Sequence, residues 1–149
     1  GDRSGDWLYA ALFRAGFANQ PTSVDRDDGL ELAGAWITSP VKCAPPANKP
    51  TPAERDACRP FIDAELELLS GVRVVVALGA FGFAEAARVL GFTSKPRFGH
   101  GAEAVAPDGR VLLGSYHVSQ QNTFTGRLTE PMLDAVFGRA RELLDADPG

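Results

Sequence analysis

The sequence predicts an α/β domain: a three-layer α/β/α sandwich around a central, mostly parallel sheet. Three observations predict it. "VRVVVAL", residues 72–78, contains an unbroken β-branched run, as in a strand buried on both faces. Strand-like and helix-like patterns alternate along the chain, the order found in parallel α/β folds. The 149 residues, 44% of them hydrophobic, suit one domain with a single core. No internal repeat or linker divides them, so residues 1–149 read as one domain.

The first element is a helix. Residues 7–17, "WLYAALFRAGF", place Trp7, Leu8, Ala11, Leu12 and Ala15 on one helical face. Gly16 is the stop, and Ser4 or Asp2 the cap. "LAGAWIT", 32–38, reads as a buried strand, and the proline-rich "SPVKCAPPANKPTP" after it as an irregular loop. Thr51, Pro52 and Glu54 form a helix start, with Thr51 as the cap and Glu54 reaching back. Pro60 is expected to split this region into a helix to about Ala57 and another from Pro60 to Leu69. After the 72–78 strand, Gly79 and Gly82 bracket a turn into a helix over 81–90, ended by Gly91. Pro107-Asp108-Gly109 signals a turn. A strand over 111–116 leads to His117, and a last helix starts behind the cap Thr129.

The formal net charge of −4 argues against a broadly basic nucleic-acid footprint. A local one is still open to Lys42, Lys49, Arg97, Arg110 and Arg127, which would line one edge, or else be solvated surface charges. No apolar run approaches the roughly 18 residues of a membrane span, and no signal peptide is visible. With two cysteines and no disulfide framework, a cytoplasmic protein is expected. The chain starts at Gly1, and "GDRSGDWL" reads as the interior of a longer sequence, so an upstream segment is expected.

In parallel α/β folds, ligands bind beyond the carboxyl ends of the strands. Three loops land there: 39–50, 79–82 and 117–127. His117 is therefore on the expected functional edge, as a catalytic group or as an ordinary turn residue. The polar "SQQNTFTG" behind it suits many hydrogen bonds to a ligand. His100, in "FGHG", reads as a turn histidine. Asp2 reads either as a capping aspartate or as a carboxylate that orients water or faces a cationic sugar. Cys43 and Cys58 have fourteen residues between them, and neither belongs to a zinc-type pair. They are either two small buried side chains or two ligands of an iron–sulfur cluster, which takes four thiolates.

"TSPVKCAPPANKPTPAERDAC", "VVVALGAFGFAEA" and "HVSQQNTFTGRLT" together resemble the uracil-DNA glycosylase superfamily, and within it the iron–sulfur branch called family five or type B. "GDRSGDWL" is similar to the tail of that branch's first motif. The resemblance runs nearly end to end. It implies a monofunctional enzyme that cleaves the glycosidic bond of uracil and other deaminated bases in DNA, such as hypoxanthine and xanthine. It implies that His117 contacts the leaving base and that Asp2 handles water. It further implies that Cys43 and Cys58 are two of four ligands of a 4Fe-4S cluster. The segment Ser119, Gln120, Gln121, Asn122, Phe124 and Arg127 would then enter the DNA at the flipped nucleotide, with Gln120, Gln121 and Phe124 as candidates to fill the gap.

The sequence also departs from the family pattern. Ser39 stands where many relatives carry a uracil-reading asparagine, with Asn48 as a stand-in, which favours a broader pocket. Val118 stands where other branches often have proline. The first half of the first motif and two cluster cysteines are absent from this sequence. A monomer acting on DNA, with no membrane partner, is expected. An iron–sulfur damaged-DNA-binding protein of the same fold without turnover, and a flavodoxin-like electron-transfer protein, are the competing readings.

Overall fold

The computed structural model describes residues 3–22, 28–37, 51–68 and 71–146. The first helix, α1, spans Arg3–Arg14. It starts earlier than its apolar face suggests, so Ser4 lies inside it and not at its cap. Ala11 and Leu12 are buried against Leu133, Val136, Phe137 and Ala140 of the last helix. The C-terminal end of α1 is closed by side chains from that helix. Arg141 donates to the carbonyls of Ala15 and Gly16, both at 3.1 Å. Gly16, at φ +85°, turns the chain out of the helix, as a helix-stop glycine does.

The expected strand over 32–38 does not form among its described residues. Only Leu32 pairs, in an isolated antiparallel bridge with Ala18. Trp36 is 64% exposed and Ile37 is exposed as well. An apolar run makes a strand only where a neighbouring strand takes up its backbone groups.

Helix α2 covers Pro52–Leu68 without the predicted break at Pro60. Its start is a reciprocal capping box: Glu54 N–H donates to Thr51 Oγ1 at 3.1 Å, and Thr51 N–H to Glu54 Oε1 at 2.9 Å. Pro60 removes one backbone donor, yet the helix runs on through it, and beside it α2 is tied to its neighbour. Arg59 grips Glu85 of the next helix with two bonds of 2.9 Å. Glu85 is only 4% exposed, and this pair fastens α2 to its neighbour.

Strand β1 is Val74–Leu78, shorter than the 72–78 run and half-buried along most of its length. Helix α3, Gly79–Val89, starts at once after it, so Gly82 lies inside the helix. Strands β2 (Glu103–Val105) and β3 (Val111–Ser115) form a hairpin through the Pro-Asp-Gly turn. The strand order is β1-β3-β2. β1 and β3 run parallel, from Val74↔Val111 to Leu78↔Ser115, whereas β2 is antiparallel to β3. The described sheet is therefore mixed, not mostly parallel: a short hairpin returns the chain antiparallel, and only the α3 crossover gives a parallel neighbour.

Alternate residues of the strands point to opposite faces. Val74, Val76, Val111 and Leu113 join the cluster of α1 and the last helix. Val75, Ala77 and Leu112 join Phe83 and Ala87 of α3 and Leu90 just after it. The fold is α/β, with its apolar residues gathered on both faces of the sheet. Helix α4 is Gln120–Phe124, and α5 is Glu130–Asp145. Thr129 caps α5 as its position predicts, accepting from Met132 N–H at 3.3 Å. Among the described residues, no helix is long and apolar enough to cross a membrane.

Candidate functional site

Parallel pairing sets the site. Because Leu78 is opposite Ser115, β1 and β3 leave the sheet side by side. Gly79 then meets the segment after β3. It has φ +90°, a conformation L side chains resist. A Cβ on it would stand 3.4 Å from both Cβ and Cδ2 of His117. Glycine here allows the strand to turn straight into α3 and allows the imidazole to lie against that turn. Gly79 is the first residue of α3, so the electropositive amino end of that helix, which has no side-chain cap among the described residues, is beside His117.

His117 is exposed on its outer side. Among the described residues, nothing hydrogen-bonds its ring. Protein packed on the inner side desolvates the ring and lowers its pKa from the ordinary value of 6.5. At neutral pH the imidazole is therefore neutral, with one N–H to donate and one nitrogen to accept.

The segment behind His117 is not the open loop its composition predicts. It holds the short helix α4, capped by Ser119, which accepts from Asn122 N–H at 3.2 Å. Asn122 donates from its side chain to the His117 carbonyl at 3.0 Å, and its own carbonyl accepts from Leu128 N–H. Thr123 and Thr125 turn their hydroxyls back onto α4 carbonyls. Buried Val118 and Leu128 anchor the two ends. Ser119 and Asn122 thus brace the segment from inside. Gln120, Gln121, Phe124 and Arg127 face out, with Phe124 61% exposed. The Arg127 guanidinium lies over the Tyr116 ring, 4.7 Å from its centroid.

The other predicted residues divide in two. Asp2, Ser39, Cys43 and Asn48 lie outside the described residues, as do Lys42 and Lys49. Cys58 falls within α2, and its side chain is likewise outside them. Arg110 does not share an edge with Arg127. It precedes β3, pairs with Asp108 at 2.7 Å, and lies at the end of the sheet opposite His117. Arg97 is exposed. His100 is indeed in a turn, yet it does more than turn the chain: Tyr116 N–H donates to its Nδ1 at 3.1 Å. His100 carries no local pattern that marks this function, and the contact of Gly79 with His117 joins segments far apart in sequence.

A 4Fe-4S cluster takes four thiolates, and this sequence has two. Among the described residues, no group of three or more His, Cys, Asp or Glu is gathered to hold a metal. The donor set is half of what a cluster takes, and no catalytic step is assigned to one.

The chain matches the family model "Uracil DNA glycosylase superfamily" over residues 1–141. It is 56% identical over 146 residues to a Type-5 uracil-DNA glycosylase of Mycobacterium bovis, covering 96% of this chain and 54% of that protein. It is 53% identical over 146 residues to the Type-5 uracil-DNA glycosylase of Mycobacterium leprae, covering 96% of this chain and 64% of that one. The Type-5 uracil-DNA glycosylase of Thermus thermophilus is 47% identical over 144 residues, covering 96% of this chain and 65% of that one. The chain thus spans between about half and two thirds of the length of these relatives.

Proposed function

Because the chain belongs to the uracil-DNA glycosylase superfamily, we propose that it hydrolyses the N-glycosidic bond of uracil and other deaminated bases in DNA, the first step of base excision repair. One observation carries the reading: His117 is exposed at the exit of β3, free of hydrogen bonds to described residues, and backed by the amino end of α3.

The base must first leave the stack, at a cost of about a few kcal/mol. The outward Gln120, Gln121 and Phe124 suit the gap it leaves, and Arg127 suits a phosphate. Ser39 and Asn48 are assigned to the base edge. The C1′–N bond then breaks, and its electron pair leaves with the base. Negative charge grows on the base oxygens, and positive charge on the sugar. A neutral His117 donates its one N–H to a base oxygen, where the charge develops. The electropositive end of α3 favours the same anion. Asp2 orients water and takes one proton as the water oxygen joins C1′. The base ends with one added proton, so the products are free base and an abasic site.

In the same proposal, Cys43 and Cys58 supply two ligands of a 4Fe-4S cluster, whose role when bound is to fasten the 43–58 segment. The other two thiolates would have to come from outside this sequence. The complete domain is a three-layer sandwich; support for it is the pair of apolar clusters on opposite sheet faces. The protein acts as a monomer in the cytoplasm.

The test is base release from an oligonucleotide with a single uracil, and from one with a single hypoxanthine, by the full-length protein. Abasic sites from both support the reading with its broad pocket. Tight binding to the damaged strand without release would make it a binder without turnover.

A further inference from the structure

We propose that His100 is a positioning residue for His117, acting through the main chain of Tyr116. The pairing of β3 ends at Ser115. Tyr116 N–H has therefore left the ladder and needs another acceptor. His100 Nδ1 supplies it at 3.1 Å. An Nδ1 that accepts requires the proton on Nε2, and Nε2 lies 2.9 Å from the Met132 carbonyl, to which it donates. One neutral ring thereby links the exit of β3 to the first turn of α5.

The ring is held firmly enough to set a direction. Gly101 N–H donates to the Gly114 carbonyl and Gly114 N–H to the Ala102 carbonyl, both at 2.9 Å. Gly114 lies so close to the turn that an added Cβ would be 2.9 Å from the Gly99 carbonyl oxygen. The His100 ring also packs against the Tyr116 ring, with centroids 5.0 Å apart. On the far side, Asn122 holds the His117 carbonyl. The residue that faces the ligand is thus fixed by the bond before it and the bond after it. His100 belongs to none of the segments that carry the family resemblance.

Two substitutions separate the two bonds. In His100→Asn the amide oxygen takes the place of Nδ1 and keeps the bond from Tyr116. In His100→Gln the amide nitrogen takes the place of Nε2 and keeps the bond to Met132. Uracil release, the thermal midpoint and the His117 imidazole NMR signal, assigned by its loss in His117→Gln, are measured for the full-length protein and both variants. The expected result is a kcat lowered about tenfold or more in His100→Gln, with KM little changed, because a small displacement of a reacting group costs that much. The His117 signal shifts in the same variant, and His100→Asn stays within about threefold of wild type in kcat. Equal loss of midpoint in both variants with kcat retained would leave His100 a mere brace and overturn the proposal. An unmoved His117 signal in both would overturn it too. If His100→Gln fails to fold, His100→Ala, which loses both bonds, takes its place: kcat lost there and kept in His100→Asn supports the proposal, and kcat kept in both, or lost equally in both, defeats it. The kinetic arm rests on the glycosylase reading. If the wild type releases no base, that reading fails, and the His117 signal alone judges the positioning role.

Discussion

The 99–102 turn and the exit of β3 each carry a histidine, and the two rings are used in opposite ways. His100 is half-buried, and both its nitrogens are bonded, to Tyr116 N–H and the Met132 carbonyl. His117 is exposed, and among the described residues neither ring nitrogen has a partner. A ring with both nitrogens taken has no capacity left for a ligand. A ring held by packing and main chain alone keeps its full capacity. The same side chain is thus a bolt in one region and a tool in the other, and the hydrogen-bond inventory distinguishes them where sequence does not.

The contrast can be broken by removing the tool. His117→Ala is expected to lower uracil release by about a hundred- to a thousandfold, the cost of one preorganised donor, while the thermal midpoint stays near wild type. An abasic-site assay beside a melting curve checks both halves. A large loss of midpoint would mean that His117 is a bolt after all.

Gly114→Ala attacks the other region. Its Cβ would press on the Gly99 carbonyl at 2.9 Å and on Phe83 at 3.1 Å. Overpacking of this kind costs about 1 to 3 kcal/mol, read as a lower urea midpoint. Gly79→Ala stands between the two regions. A non-glycine residue at φ +90° costs about 1 to 2 kcal/mol, and its Cβ also crowds the His117 ring. Stability and kcat should fall together, with kcat down by about tenfold; a variant that loses only stability would separate Gly79 from the site.

The smallest effect is on pH. Packing lowers the His117 pKa from 6.5. Just below that value the unfolded chain holds the proton and the folded one does not, so stability rises with pH there and is lost as pH falls through the window. The ring is largely exposed, so the slope is slight. His117→Gln should flatten it in urea titrations between about pH 7 and pH 5.

Much of the frame was legible locally. β1 follows from its β-branched run, α5 from its cap Thr129, and the turn into β3 from Pro-Asp-Gly, although β2 before that turn was not foreseen. The failures have physical causes. "LAGAWIT" has the composition of a strand, but among the described residues its pairing is a single bridge, Leu32 with Ala18. Pro60 looks like a break because sequence shows the lost N–H and hides the tertiary contacts of α2, such as the Arg59–Glu85 pair with α3. "QQNTF" has no apolar periodicity, and its one turn of helix is made by the Ser119 cap. In the site, His117 was legible from strand order. Gly79 was legible as a turn on the functional edge; its contact with His117 and the role of His100 were not, because both exist only once distant segments meet.

The parallel pairing of β1 with β3 has a kinetic side. Gly79 and His117 touch only after the whole crossover through α3 and the hairpin has been closed, and closing so long a loop comes late in folding. A chain still short of that closure can already hold α3 on β1, and the β2–β3 hairpin, yet it has no site. Activity in this molecule therefore reports a long-range closure and not local structure, and its recovery after dilution from denaturant should lag behind the return of helix.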